Sequence, residues 1–332
     1  MTIATTTMRA AVTPIYGPAS VLETRDLPTP RPGDREVIVE MRATPVTAGD
    51  LRMRAGDFPS ITALPGRLML GVRGPRNAVQ GTMFAGRIVE VGSAVSRYAV
   101  GDDVFGSSGH GAYAELVRVR EDAAMAKMPS NVSYDEAAAV PYGGVTALRF
   151  LRDLAAVRPR ERVLVVGAAG GVGRFAVQIA KHLGAEVTGV CSRKSFDLVR
   201  ALGADHLVDY ERESFTESGR RYHVVFDTAD VTRFERCRSA LTDDGRYMTL
   251  TISVGMLAQM ALTSMGGGPR VKFGIALGDA DDMIELRDLL ERGVLRPIIG
   301  ERFPLERITE AHAAAALRRG SGAVVVTAAG RA

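Results

Sequence analysis

Residues 163–185 read VLVVGAAGGVGRFAVQIAKHLGA: an apolar run, a loop of small residues, then apolar residues at helical spacing. The pattern predicts a strand, a tight turn and a helix. Ala168, Gly170 and Gly173 occupy the three glycine positions of a G-x-G-x-x-G loop, with alanine at the first. Small residues let the backbone approach a ligand closely, and the first turn of the helix offers unsatisfied N–H groups to an anion. The loop, with Gly171 and Val172 inside it, is therefore expected to hold the diphosphate of a dinucleotide. A tight strand-to-helix turn without a ligand is the plainer reading of a glycine triplet taken alone.

The next strand, EVTGVC (186–191), ends where such a dinucleotide would present its adenosine ribose. A ribose 2′-hydroxyl calls for an acidic residue about 20 residues beyond the loop, whereas a 2′-phosphate calls for cations. The chain has Cys191-Ser192-Arg193-Lys194 there. Ser192, Arg193 and Lys194 are expected to read the phosphate, which makes NADP(H) the expected cofactor. The alternative is a solvated helix entrance.

Farther out, apolar and helical runs alternate: SFDLVRAL (195–202), HVVFDT (223–228), FERCRSAL (234–241) and YMTLT (247–251). This βαβα alternation predicts a doubly wound parallel sheet covered by helices. Gly184 and Gly203 follow helical runs, where a left-handed residue ends a helix at least cost to glycine. Residues 1–127 instead show short β-like runs between Gly and Pro: EVIVEM (36–41), FAGRIVEV (84–91), DDVFG (102–106) and AYAELVRV (112–119). That reads as an all-β lobe. From about residue 278 the pattern changes again, through DDMIELRDLLERG, LRPIIGERFPL, ITEAHAAAALRRG and AVVVTA, and this tail is expected to rejoin the first lobe. The expected domains are therefore 1–127 with 278–332, and 128–277.

At 332 residues the chain has room for two lobes, and 46% hydrophobic with 24% charged residues excludes a disordered chain. The net charge is 42 − 38 = +4 and the basic residues are scattered, so no nucleic-acid footprint is visible. Two cysteines, Cys191 and Cys237, suit a reduced, cytoplasmic setting. The start MTIATTTMRAAV lacks the basic and apolar regions of a signal peptide, and Ser, Gln and Thr interrupt the apolar stretch from Ile252 to Met265, so neither export nor a membrane span is expected.

Several motifs in one order carry a family resemblance. They are AGDLRMRAGDFP, GTMFAGRIVEVGSAVSRYAVGDDVFG, GHGAYAELV, AAAVPYGGVTALRFL, AAGGVG, RALGADHLVDY, VVFDT and FPLERITEAHAAAALRRGSGAVVVT. Across nearly the whole chain they resemble the medium-chain dehydrogenase/reductases, specifically the zinc-free quinone-oxidoreductase-like branch. The resemblance implies a GroES-like β-barrel catalytic lobe, a Rossmann lobe, a cofactor cleft between them and a homodimer or higher oligomer. It implies an NADPH-dependent reductase of quinones or α,β-unsaturated carbonyl compounds. An enoyl-thioester or pathway-ketone reductase, or a nucleotide-binding protein with lost redox activity, are the alternatives.

Relatives with catalytic zinc carry Cys where this chain has Thr47 and Gly-His-Glu where it has Gly81-Thr82-Met83. The donors zinc requires are therefore missing, and no metal is expected. The five histidines are dispersed and read as surface or packed residues. Within the zinc-free branch the common Asn appears as Thr47 and the common Tyr as Phe58, while Asp50, Arg54 and Gly56 match. Tyr142, in VPYGGVTAL, is the candidate hydrogen-bond donor to an acceptor oxygen, against the reading of a packed aromatic. Thr146 in the same motif resembles the residue that contacts the nicotinamide. Arg54 is a candidate for orienting substrate, although a salt bridge to Asp50 one turn away is favoured. Thr47 is the weakest catalytic candidate, because a loop hydroxyl is usually a turn residue. Asp227, after HVVF, lies where ligands gather but would equally cap a following element.

Overall fold

The computed structural model describes residues 7–58, 63–317 and 322–328. The stretch 163–185 forms the strand Arg162–Val166 and the helix Gly173–His182, as its pattern predicts. Around that strand a six-stranded parallel sheet runs in the spatial order His206–Asp209, Glu186–Cys191, Arg162–Val166, Tyr222–Asp227, Leu241–Thr249, Arg270–Lys272. Numbered along the chain this is the 3-2-1-4-5-6 order of a Rossmann sheet, with the order reversing beside Arg162–Val166. Residues Val163–Val166 are all buried because helices cover both faces, and a strand so covered needs a continuous apolar run. Gly184 (φ 83°) and Gly203 (φ 107°) supply the left-handed turns after Gly173–His182 and Phe196–Ala201.

The second sheet has seven strands. Ile299–Pro304, Ala323–Thr327, Glu36–Pro45, Met83–Val91, Asp103–Ser107 and Met125–Lys127 follow one another, and Leu116–Arg120 pairs with Glu36–Pro45. A separate antiparallel pair joins Thr7–Val12 to Glu23–Pro28. Alternate residues such as Val37, Val39, Phe84, Ile88, Val104, Val117 and Val119 fill the interior of the seven-stranded sheet. The late strand Ala323–Thr327 lies antiparallel to Glu36–Pro45.

Several expectations need correction. Residues 1–127 are not all β, because two helices, Ala48–Ala55 and Ala63–Leu70, interrupt them. Neither shows an apolar stripe of helical period; the first is fixed by its cap and the second contains both Pro65 and Gly66. The run AYAELVRV forms a strand only over Leu116–Arg120, because Tyr113 and Ala114 pair instead with the first strand at Ala11 and Ala10. FERCRSAL is an α-helix over Phe234–Cys237 and tightens to a 3-10 turn over Arg238–Ala240. The interrupted apolar stretch 252–265 contains a helix, Val254–Met265, started by the Ser253 hydroxyl accepting from Met256 N–H.

One helix joins the two sheets. Tyr134–Leu148 starts with a reciprocal cap between Ser133 and Glu136 and continues as a π-helical turn, Arg149–Leu154. It packs on Glu36–Pro45 and Met83–Val91 on one side and on the helix Gly173–His182 on the other. Close approach explains its paired glycines. A methyl group at Gly143 would lie 2.5 Å from the carbonyl oxygen of Gly171, and one at Gly144 would lie 3.1 Å from Leu286 Cδ2. At its far end Arg149 and Arg152 form ion pairs with Asp279, Asp282 and Glu285, at the start of the helix Ala280–Glu291.

Candidate active site

The glycine loop has two kinds of glycine. A methyl group at Gly173 would sit 2.1 Å from the Gly167 carbonyl oxygen and one at Gly170 would sit 3.1 Å from it, so these positions close the turn. Gly171 meets nothing within 4 Å on that side and leaves the loop open. Alanine is tolerated at 168 because its neighbour across the sheet is Gly189, where even a single methyl would come within 3.1 Å of Ala168 Cβ. The loop is latched from the adjacent strand end: the Thr228 hydroxyl donates to the carbonyls of Val166 (2.8 Å) and Gly167 (3.3 Å). Asp227 is fully buried and accepts from the N–H groups of Ala229, Val231 and Thr232 at 2.7–3.0 Å. Burial raises its pKa, and the three donors oppose that rise. Asp227 thus shapes the turn that carries Thr228.

At the end of Glu186–Cys191, Ser192 is half-buried while Arg193 and Lys194 are exposed. Neither cation makes an ion pair among the described residues, and the Arg193 guanidinium lies 4.9 Å from the centre of the Phe196 ring. The structure brings in a carboxylate that linear spacing did not indicate. Asp209 ends the neighbouring strand in register with Cys191, is buried, and accepts from Glu211 N–H at 3.2 Å. Burial, with a smaller contribution from Asp209, raises the Cys191 thiol to about 11, so it is inert at neutral pH. Cys237 is likewise buried and free.

Against the helix Tyr134–Leu148 lies a cleft of about 260 Å³ lined by Met53, Met83 and Met283, by Thr82, and by Tyr142 and Thr146. Tyr142 packs over the first turn of Ala48–Ala55: a methyl group at Gly49 would lie 3.3 Å from Tyr142 Cε2. The Thr146 hydroxyl donates to the Tyr142 carbonyl at 2.7 Å, which leaves its oxygen as an acceptor facing the cleft. A larger open concavity of about 1000 Å³ lies beside Asp230, Arg233, Tyr247 and Gln259, without contact to the glycine loop.

Thr47 and Arg54 are placed otherwise than a cleft role would need. Thr47 caps Ala48–Ala55: its N–H and hydroxyl donate to Asp50 Oδ2 at 2.8 and 2.6 Å, and its oxygen accepts from Asp50 N–H. The T-x-x-D spacing of Thr47 and Asp50 carried this capping signal in the sequence. Asp50 also accepts from the Thr82 hydroxyl at 3.3 Å, and the fully buried Tyr113 hydroxyl lies nearby without completing a hydrogen bond. Burial pushes the Asp50 carboxyl upward. The expected Arg54–Asp50 salt bridge is absent. Arg54 is buried and donates to the Gly17 carbonyl (3.2 Å) and to His312 Nδ1 (3.2 Å), because the helix Ile308–Ala316 offers a neutral ring there. A guanidinium has no lone pair to offer, so Nδ1 is the acceptor and the His312 proton sits on Nε2. Phe58 stacks edge-on against Tyr16, with 6.0 Å between ring centres.

Among the described residues no group of three His, Cys, Asp or Glu side chains is placed to hold a metal. Thr82 and Met83 offer the cleft a hydroxyl and a thioether, and the Thr47 hydroxyl donates its hydrogen bond to Asp50. No helix of the described residues is long and apolar enough to cross a membrane.

Residues 33–130 match the family described as alcohol dehydrogenase GroES-like domain, and residues 202–326 match the family described as zinc-binding dehydrogenase. The latter range does not include positions 47, 82 and 83. A quinone oxidoreductase of Pseudomonas aeruginosa is 32% identical over 329 residues, covering 94% of this chain and 97% of the relative. An NADPH-dependent alkenal/one oxidoreductase of Arabidopsis thaliana is 27% identical, over 96% of this chain and 79% of its own length. The solved quinone oxidoreductase of Coxiella burnetii superposes with a TM-score of 0.84 at 26% identity, covering 97% of this chain and 99% of that one. With a GroES-like sheet and a Rossmann sheet, the chain belongs to the medium-chain dehydrogenase/reductase superfamily and is an oxidoreductase of its quinone-oxidoreductase-like group.

Proposed function

We propose that this chain is an NADP(H)-dependent, metal-independent reductase of quinones or α,β-unsaturated carbonyl compounds. The observation that carries the reading is that one helix serves both parts of the site. Gly143 touches the glycine loop at Gly171, and Tyr142 and Thr146 of the same helix line the apolar cleft. The names of two relatives, quinone oxidoreductase and alkenal/one oxidoreductase, favour a conjugated acceptor.

The bound cofactor supplies the hydride, and the residues of the chain supply position and polarity. Residues 168–173 hold the diphosphate, and Ser192, Arg193 and Lys194 favour a 2′-phosphate over a free hydroxyl. Thr146 accepts from the nicotinamide amide. Tyr142 donates to the acceptor's carbonyl oxygen as negative charge develops on it, and Met53, Met83 and Met283 exclude water. Metal independence rests on the donor chemistry of Thr47, Thr82 and Met83, none of which is a usual zinc ligand. We also assign a homodimer to the edge strand Arg270–Lys272, beside which Met265, Ile275 and Leu277 are exposed.

The test is NADPH oxidation with quinones, enones, enoyl thioesters and simple ketones, before and after chelation. Turnover of quinones or enones that survives the chelator supports the reading. Activity confined to simple ketones, or abolished with loss of one zinc per chain, overturns it. Tight cofactor binding with no turnover of any acceptor points instead to a nucleotide-binding protein.

A further inference from the structure

Arg174 is the second residue of the helix Gly173–His182, directly after the glycine loop. It is only 6% exposed, its Nη1 is sealed from solvent, and no hydrogen bond or ion pair reaches its guanidinium from any described residue. The other two buried arginines among the described residues are satisfied. Arg246 donates to Glu161 and to the Ala155 carbonyl, and Arg54 donates to Gly17 and His312. Nor does the next turn help: Gln178 spends its side chain on the backbones of Arg174 and Arg296. Burial alone lowers the Arg174 pKa to about 10, with no carboxylate opposing the effect.

A buried, unpaired cation is among the costliest groups a fold can carry, and such charges are ordinarily paired or ligand-bound. Helical side chains lean toward the N-terminus of their helix, which for Arg174 is the side of residues 170–173. That side is where Gly171 leaves open space and where the helix presents its own unsatisfied N–H groups.

We propose that Arg174 is the counter-cation for the diphosphate of the bound dinucleotide, a site completed only when that anion is present. The proposal rests on the dinucleotide reading above. It assigns the guanidinium to the diphosphate rather than the 2′-phosphate, because Arg174 belongs to the loop after Arg162–Val166 and not to the end of Glu186–Cys191. It therefore separates two jobs. Arg174 sets affinity for both dinucleotides, and Ser192 to Lys194 set the choice between them.

The experiment titrates the parent, Arg174→Gln and Arg174→Lys with ADP-ribose, NADH, NADPH and adenosine, and follows the melting temperature of each with and without ADP-ribose. A hydrogen bond to a charged group corresponds to about a tenfold to hundredfold change in affinity. Arg174→Gln is expected to lose about that much for ADP-ribose, NADH and NADPH alike, with the NADPH:NADH ratio and adenosine binding unchanged and with partial recovery in Arg174→Lys. Removing an unpaired buried charge leaves the ligand-free melting temperature equal or higher, while the stabilisation by ADP-ribose shrinks. Unchanged ADP-ribose affinity, a loss confined to NADPH, or a fall in the ligand-free melting temperature in both variants overturns the proposal. A parent that binds neither ADP-ribose nor either dinucleotide overturns the dinucleotide reading itself, and the proposal with it.

Discussion

The glycine loop and the Thr47–Asp50 corner use similar polar chemistry to opposite ends. In the corner, the charged groups have partners inside the fold: Thr47 and Thr82 donate to Asp50, and Arg54 donates to Gly17 and His312. Along the loop and the neighbouring strand end, Gly171 faces open space, Arg193 and Lys194 make no ion pair among the described residues, and Arg174 is buried without a partner. Residue type alone does not separate the two regions. What separates them is whether the fold has already spent the hydrogen-bonding capacity, because a satisfied group has little left to offer a ligand.

The comparison breaks most visibly at Gly173. A side chain there meets the Gly167 carbonyl at 2.1 Å, and forced overpacking costs about 1–3 kcal/mol or more. Gly173→Val is expected to weaken cofactor binding by at least about a hundredfold. Fluorescence titration that finds parental affinity would mean the loop does not form the cradle described.

The corner should answer to acid rather than to cofactor. His312 is lowered to about 3, first by burial and then by the Arg54 charge. A base whose folded value is depressed stabilises the fold above its ordinary value near 6.5, and that contribution is lost as pH falls from there toward 3. Each unit in that window costs about 1.4 kcal/mol. Urea midpoints measured from pH 7 to pH 4 should therefore fall for the parent and fall less for His312→Gln, with cofactor affinity retained at pH 7. Parallel slopes would remove His312 as the cause.

Tyr142 stands between the two regions, packed on Gly49 yet lining the cleft. Tyr142→Phe is expected to lower kcat about tenfold to hundredfold while cofactor Kd stays constant, since a single donor to developing charge acts on the transition state. Equal kinetics on every accepted substrate would assign the ring to packing alone.

The smallest effect is sought at the strand end. Arg193→Ala should reduce the preference for NADPH over NADH by about tenfold, and the parental preference should weaken with salt because the side chain is exposed. The buried Asp209 sharpens this test. If it governs the ribose, Asp209→Asn will move the preference and Arg193→Ala will not.

The strand, loop and helix at 163–185 were legible because each depends on neighbours a few residues away: apolar runs for the strand, small residues for the turn, Gly184 for the stop. The family motifs extended that reading to both sheets. The helices Ala48–Ala55 and Ala63–Leu70 were not legible as helices, because neither carries an apolar stripe and the first depends on its cap. Thr47 caps the helix Ala48–Ala55, and the ion pair expected between Arg54 and Asp50 does not form. Local helical spacing made that pair plausible, and a partner from the far end of the chain displaced it.

The sequence by itself determined the parallel sheet, its glycine loop, the cations after the second strand and the absence of usual zinc donors at positions 47, 82 and 83. Only the tertiary structure decided which polar side chains remain available. Arg54 finds its partner 258 residues away at His312, and Asp209 reaches Cys191 across a strand boundary, while Arg174 finds none among the described residues. Backbone conformation follows from short-range sterics and hydrogen bonding, but the satisfaction of a buried charge depends on every element packed against it.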